Sequence, residues 1–357
     1  MLIWLSELIV ASWALSYGAE HLSLRYGAKF IGRTVLSIAT TLPEIAIVAY
    51  AAVAGDYGIA IGAGLGSNLL MMTLGLSIML IIATTRLSKA PLRGLDVSSF
   101  KLDKIFLFIT AIVSAVLFVD GYNYFDGFIF VGMFVAYFIM AFHEMKVDKN
   151  KELLASIKEE ATTPTTTATA SKSEPDSMKV KEGFQDISKD HNSSRQLTKA
   201  LLIFIGGVVG ILIGAEPFIH SLEGVSIDIG ISAIVLSVII SPIAGEMPEK
   251  LSLMILARKG AHGASIAISN VLGSKILNNT LLLAIAVFGA IYHGGLFSII
   301  GVNTLLSYQM VLVTAVTIAA LIPMLKREIG LRVGIMLLGL YIVSLAIQFF
   351  LPHQNHI

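Results

Sequence analysis

Two short stretches place carboxylates where an apolar helix should run: "TTLPEIAIV" (40–48) and "GEMPEKLSL" (245–253). A glutamate near the centre of a bilayer is expensive, and a proline beside it removes a backbone hydrogen bond that lipid cannot replace. Tolerating both, twice, suggests that a carboxylate and an opened carbonyl work together as oxygen ligands for a hard cation. Further oxygens surround Glu44 and Glu249: Thr40 and Thr41 precede the first, and Glu246 precedes the second. Downstream, "GLGSN" (64–68) and "VLGSK" (271–275) supply Ser67 and Ser274, and Asn278 follows Ser274 by one helical turn. Such a donor set suits calcium first, with sodium or protons as competitors, whereas a softer metal would want His or Cys. Lys275 lies too deep to reach the headgroups and is expected to pair with Glu246 or Glu249. It and Asn68, its counterpart in the earlier copy of the motif, are read as modulating the site.

The elements that must carry these residues follow from composition. Of 357 residues, 55% are hydrophobic and only 14% are charged, against roughly 25% charged in ordinary soluble domains. Mean hydropathy is +0.82, so the chain is an all-α polytopic membrane protein whose medium is the lipid bilayer. With about 20 apolar residues per span, helices are predicted near 2–22, 33–54, 58–84, 104–119, 124–143, 199–220, 227–257, 263–292, 304–325 and 331–351. The N-terminal stretch lacks a basic leader and runs too long for a cleaved signal, so it is taken as the first span. Residues 144–198 are polar, rich in Thr, Ser, Lys and Glu, and read as a disordered linker. They separate a five-helix unit at 1–143 from another at 199–357. No cysteine is present, which excludes disulfides and thiolate metal sites. A net charge of +1 says nothing of partners, because charge here is distributed by topology, and no nucleic-acid partner is expected.

The halves match in order: "YGAEHL" (17–22) with "IGAEPF" (213–218), "TLPE" (41–44) with "EMPE" (246–249), and "GLGSN" with "VLGSK". With five spans each, the second copy must be inserted upside down. Two inverted five-helix repeats, with helices 2 and 7 broken at equivalent positions, are the sequence signature of a secondary transporter with a midplane site. Lys and Arg segregate to one set of loops, including Arg86, Lys89, Arg93, Lys101 and the linker. The opposite loops, around Asp56, Asp120 to Asp126 and Glu223 to Asp228, carry none. The positive-inside rule then puts both termini outside and the linker in the cytoplasm.

The paired motifs "TTLPE" with "GAGLGSNLL" and "GEMPE" with "NVLGSKILNN" resemble the alpha-repeats of the calcium/cation antiporter superfamily, which includes sodium/calcium and proton/calcium exchangers. The resemblance implies a cell-membrane (plasma or inner membrane) antiporter exchanging Ca2+ for Na+ or H+ by alternating access, without a cofactor. Its partners would be inorganic cations, and it would act as a monomer. The resemblance makes Glu44 and Glu249 the paired calcium ligands, with Thr40 and Ser67 lining an inward sodium-type position and Ser274 an outward one. Four positions depart from the pattern: Gly245 stands where a hydroxyl would match Thr40, Met71 where a polar residue is expected, Lys275 where Asn is frequent, and Glu246 where a small or amide residue is usual. These changes weaken the outward sodium position.

The competing readings are a cation channel and an antiporter for another divalent cation. Channels usually assemble a pore around a symmetry axis, whereas this chain contains its own inverted pair. An enzyme is not expected: "HE" at 143–144 lacks a second His, and no Ser, His and Asp converge at one depth. Lys250 is expected to snorkel toward the inner surface, and His143, His220, His262 and His293 to sit near the interfaces.

Overall fold

The structure is a computed structural model that describes the backbone of residues 1–26, 37–162 and 193–350. Side chains are described for these except at 16, 19–26, 37–40, 145–162, 193–196, 248 and 349. Among the described residues the secondary structure is helical apart from one two-residue antiparallel strand pair. In order, the helices are α1 (Leu2–Tyr26), α2 (Ser37–Ala54), α3 (Tyr57–Leu70), α4 (Leu76–Thr84), α5 (Lys101–Leu117), α6 (Tyr124–Thr162), α7 (Ser193–Ile229), α8 (Ala233–Gly245), α9 (Met247–Ala257), α10 (Ala261–Leu277), α11 (Leu283–Gly294), α12 (Thr304–Leu321) and α13 (Leu331–Phe350). The strands are β1 (Leu95–Asp96) and β2 (Glu328–Ile329).

Among the described residues, seven segments are long and apolar enough to cross a membrane, and three shorter apolar helices cover Leu2–Leu15, Thr41–Ala54 and Ala233–Gly245. Two of the seven, Tyr57–Thr84 and Ala261–Gly294, are each 83% buried, while the other five are 22–50% buried. These two are therefore the central helices, and both serine motifs lie on them. Each is interrupted by one π-helical turn, Met71–Gly75 in the first and Asn278–Leu282 in the second. A threonine accounts for the wider turn in both. Thr73 Oγ1 donates to the carbonyl of Leu69, and Thr280 Oγ1 to that of Ile276 at 2.7 Å, each drawing off an acceptor four residues back in the backbone ladder.

The seventh predicted span, 227–257, is two helices. Its break falls at Glu246, whose N–H closes α8 on the carbonyl of Pro242 at 3.0 Å. Pro248 then begins α9 in its first turn, where a missing N–H is harmless. The matching break expected in helix 2 does not occur at Pro43. There α2 runs from Ser37 to Ala54 with the proline inside it, so the ring removes one backbone bond without ending the helix. A second proline makes the difference, because Pro242 and Pro248 bracket Glu246 whereas Pro43 acts alone. Both helices flanking the expected linker extend into it, α6 to Thr162 and α7 from Ser193; residues 163–192 lie outside the described residues.

Packing interleaves the halves. α1 lies along α7, α3 against α8 and α12, α2 against α11, and α4 against α13. Glycines set the closest approaches: a Cβ at Gly66 would stand 2.1 Å from the carbonyl oxygen of Val238 on α8. On the face rich in Lys and Arg, β1 pairs with β2, Lys104 Nζ donates to the carbonyls of Val97 and Met324 at 2.9 Å each, and Arg327 meets Asp96 at 3.4 Å.

The buried carboxylate centre

The apolar interior forms two clusters, and the polar residues gather where they meet. Along α3 and α4 the first cluster ends at Leu69 and the second begins at Met71. Along α10 and α11 the second ends at Ile276 and the first resumes at Leu282. Ser67, Asn68, Ser274, Lys275, Asn278 and Asn279 occupy these junctions and are all buried. Glu44 from α2, Glu246 from the break and Glu249 from the first turn of α9 are buried with them. Glu44, Glu246, Glu249, Ser67, Ser274, Lys275 and Asn278, all named from sequence, are thus brought by the fold into one interior.

Within the set, the carboxylates differ. Glu249 is held from α10: its Oε1 accepts from Asn270 Nδ2 at 3.1 Å and from Ser274 Oγ at 2.8 Å. Glu246 lies against Ser67 Oγ and forms an ion pair with Lys275, both partners being essentially without exposure. Lys275 Nζ also donates to Ser67 Oγ at 2.7 Å. With its amide turned to satisfy both ends, Asn278 presents its oxygen to Ser67 Oγ at 2.6 Å and to Lys275 Nζ at 3.3 Å, and donates to the carbonyl of Ser274 at 3.2 Å. Glu44 is the exception, since both its carboxylate oxygens are buried with no protein hydrogen-bond partner. Its head lies against Gly245, where a Cβ would stand 2.7 Å from Oε1.

Leaving such atoms unpaired is costly unless something else satisfies them. Oε2 of Glu246 and Oδ1 of Asn68 are in the same condition. Asn68 gives its Nδ2 to Asn279, whose own amide approaches Thr110 Oγ1 at 3.5 Å, so α3, α5 and the second π turn are tied together beside the centre. Among the described residues no three His, Cys, Asp or Glu side chains stand ready to hold a metal ion. Lys275 engages Glu246, and Asn270 with Ser274 engages Glu249.

Thr41 is buried on the Glu44 helix; the side chain of Thr40 lies outside the described residues. Lys250 does not snorkel outward but turns its ammonium to the carbonyl of Pro242, 3.4 Å away. The four histidines named above are exposed. Asn270, Asn279 and Thr110 went unnoticed in the sequence. Asn270 carried one readable signal, its place one turn ahead of Ser274.

An all-α membrane protein with a carboxylate-rich centre between two central helices is the class that fold and site define. The chain belongs to the sodium/calcium exchanger protein family, whose model matches residues 1–143 and 199–350. An uncharacterized membrane protein of Methanocaldococcus jannaschii is 24% identical over 332 residues, covering 92% of this chain and 90% of the relative. Among solved structures, the H+/Ca2+ exchanger CAX superposes with a TM-score of 0.75 at 19% identity, over 98% of this chain and 82% of that one. The sodium-calcium exchanger NCX_Mj gives a TM-score of 0.58 at 23% identity, over 97% and 96%.

Proposed function

We propose that the chain is a secondary antiporter that exchanges Ca2+ for Na+ or H+ by alternating access at the buried carboxylate centre. The observation that carries this reading is Glu44, a fully buried carboxylate with both oxygens unpartnered, set among Glu246, Glu249 and neutral oxygen donors. A divalent cation binding there exchanges its hydration shell for carboxylate and hydroxyl oxygens, which offsets dehydration only when more than one charge takes part. Glu44 and Glu249 are the direct ligands in this reading, with Thr40, Thr41, Ser67, Ser274, Asn278 and Glu246 completing the shell.

The ten apolar helices form two inverted five-helix repeats. Support comes from the two π turns, each beginning four residues after its motif serine, and from the apolar clusters, which are met in opposite order along the two central helices. Residues 144–198, which the family match leaves out, are the connection between the repeats. The activities by which CAX and NCX_Mj are named support calcium as cargo, and one of each counter-ion.

The test is calcium flux in sealed proteoliposomes, under a sodium gradient and separately under a pH gradient. Saturable uptake of tracer calcium, accelerated by unlabelled calcium inside and driven by one of the gradients, is the expected result. Uptake that does not saturate and shows no such acceleration identifies a channel, and no calcium movement under either gradient overturns the reading.

A further inference from the structure

We infer that Lys275 is a tethered monovalent cation: its ammonium fills a cradle of oxygens from Ser67, Glu246 and Asn278, which takes a small free cation when the lysine is removed. The inference deepens the proposed exchange function and rests on its reading of the centre as a cation site.

An ammonium has three N–H donors. Here each finds an oxygen: Oε1 of Glu246, Oγ of Ser67 at 2.7 Å and the turned amide oxygen of Asn278 at 3.3 Å. One carboxylate, one hydroxyl and one amide oxygen form the kind of hard, singly charged donor set that suits a monovalent ion. The three oxygens come from three places in the fold, namely α3, the α8–α9 break and the second π turn. Lys275 itself stands on α10 with 1% of its surface exposed, so its charge cannot leave. In the same motif register the first half carries neutral Asn68, which donates to Asn279 instead. The fixed positive charge therefore belongs to one half of the molecule only. The other nearby ammonium, Lys250, is turned to the carbonyl of Pro242 and reaches none of the three oxygens within hydrogen-bond distance. A permanently filled position means that Oε1 of Glu246 is matched throughout the cycle, and mobile cations are left to Glu44, Glu249 and the free Oε2 of Glu246.

A merely structural ion pair would make the same contacts, so the test must read cation binding itself. The full-length protein is purified in detergent with calcium chelated. Its thermal unfolding is then followed in chloride salts of sodium, potassium, ammonium or N-methyl-D-glucamine. In Lys275→Ala the stem and ammonium are gone while the cradle remains, and a small cation should raise the melting temperature by about 3–5 °C over N-methyl-D-glucamine, saturably and beyond any rise in wild type. Lys275→Met fills the stem volume without a charge and should gain nothing beyond wild type. The same holds for Lys275→Ala combined with Glu246→Gln, which removes the charge that attracts the ion. Equal gains in wild type, Lys275→Ala and Lys275→Met overturn the inference, as does a Lys275→Ala protein that cannot be recovered folded in any of the small-cation salts. Because the readout is stability, loss of the antiporter reading through absent calcium flux in wild type would leave this result separately visible.

Discussion

Glu44 and Glu249 occupy matching motif positions, but their surroundings differ. Glu249 accepts two hydrogen bonds from α10, whereas Glu44 accepts none and rests against the bare Cα of Gly245. Either substitution, Glu44→Gln or Glu249→Gln, keeps volume and an acceptor oxygen while deleting a charge. Each should leave a folded protein and reduce calcium flux about a hundredfold, the scale of losing a charged contact worth roughly 3 kcal/mol; wild-type flux in either variant would remove that residue from the site. Gly245→Ala asks a finer question. The position ends a helix in ordinary helical conformation, so alanine is favoured there by up to about 1 kcal/mol. The obstacle its Cβ meets is the movable head of Glu44. The variant should therefore melt no lower than wild type, yet bind calcium about tenfold more weakly in an equilibrium titration, and unchanged affinity would show that the carboxylate works equally well displaced. Motif register alone made the glutamates, serines and Lys275 legible. It could not reveal Asn270 or Asn279, whose counterparts in the first copy are Ala63 and Met72, and Asn278, opposite Met71, was legible only from its place one turn after Ser274.

At the scale of elements, the all-α character was legible in the sequence and the interruptions of the helices less so. One proline inside a helix that is otherwise supported by its neighbours bends it, and α2 carries Pro43 without ending. Two prolines bracketing Glu246 stop one helix and start the next. The π turns were invisible, since a threonine bonding back to its own helix looks like any other buried threonine in a sequence. Gly62 and Gly66 approach a neighbouring helix closely, but no sequence pattern names that partner. It is α8: a Cβ at Gly62 would meet Ser237 Oγ, and one at Gly66 the carbonyl and Cα of Val238. The two obstacles differ in kind, because a serine hydroxyl can rotate away while a helix backbone cannot. Gly66→Ala should accordingly destabilise the protein by about 1–3 kcal/mol, as overpacking does, and Gly62→Ala by distinctly less. Melting temperatures of the two single variants in detergent compare them directly, and equal losses would mean that α8 moves as a rigid body to accommodate either.

For the whole molecule, the question is what holds two halves together when a long polar stretch separates them in sequence. Nearly every principal helix contact crosses between halves: α1 with α7, α2 with α11, α3 with α8 and α12, α4 with α13, α5 with α10 and α12, and α6 with α11. On the Lys- and Arg-rich face the strand pair, the Lys104 bonds and the Asp96–Arg327 contact add a clasp between the same halves. Helix burial of this extent outweighs the entropy of joining two pieces, since loop closure grows only as the logarithm of linker length. If the connection does no more than keep the halves at high effective concentration, it is dispensable for exchange. Replacing residues 163–192 with a Gly/Ser tether of about 15 residues, long enough to act as a flexible coil, should leave calcium exchange within about twofold of wild type when rates are normalised to inserted protein. Regulation by the native segment would show as a change in calcium dependence at constant maximal rate. Complete loss of exchange, in a variant that inserts and melts normally, would place part of the connection inside the transport cycle and require the two-repeat division of the chain to be redrawn.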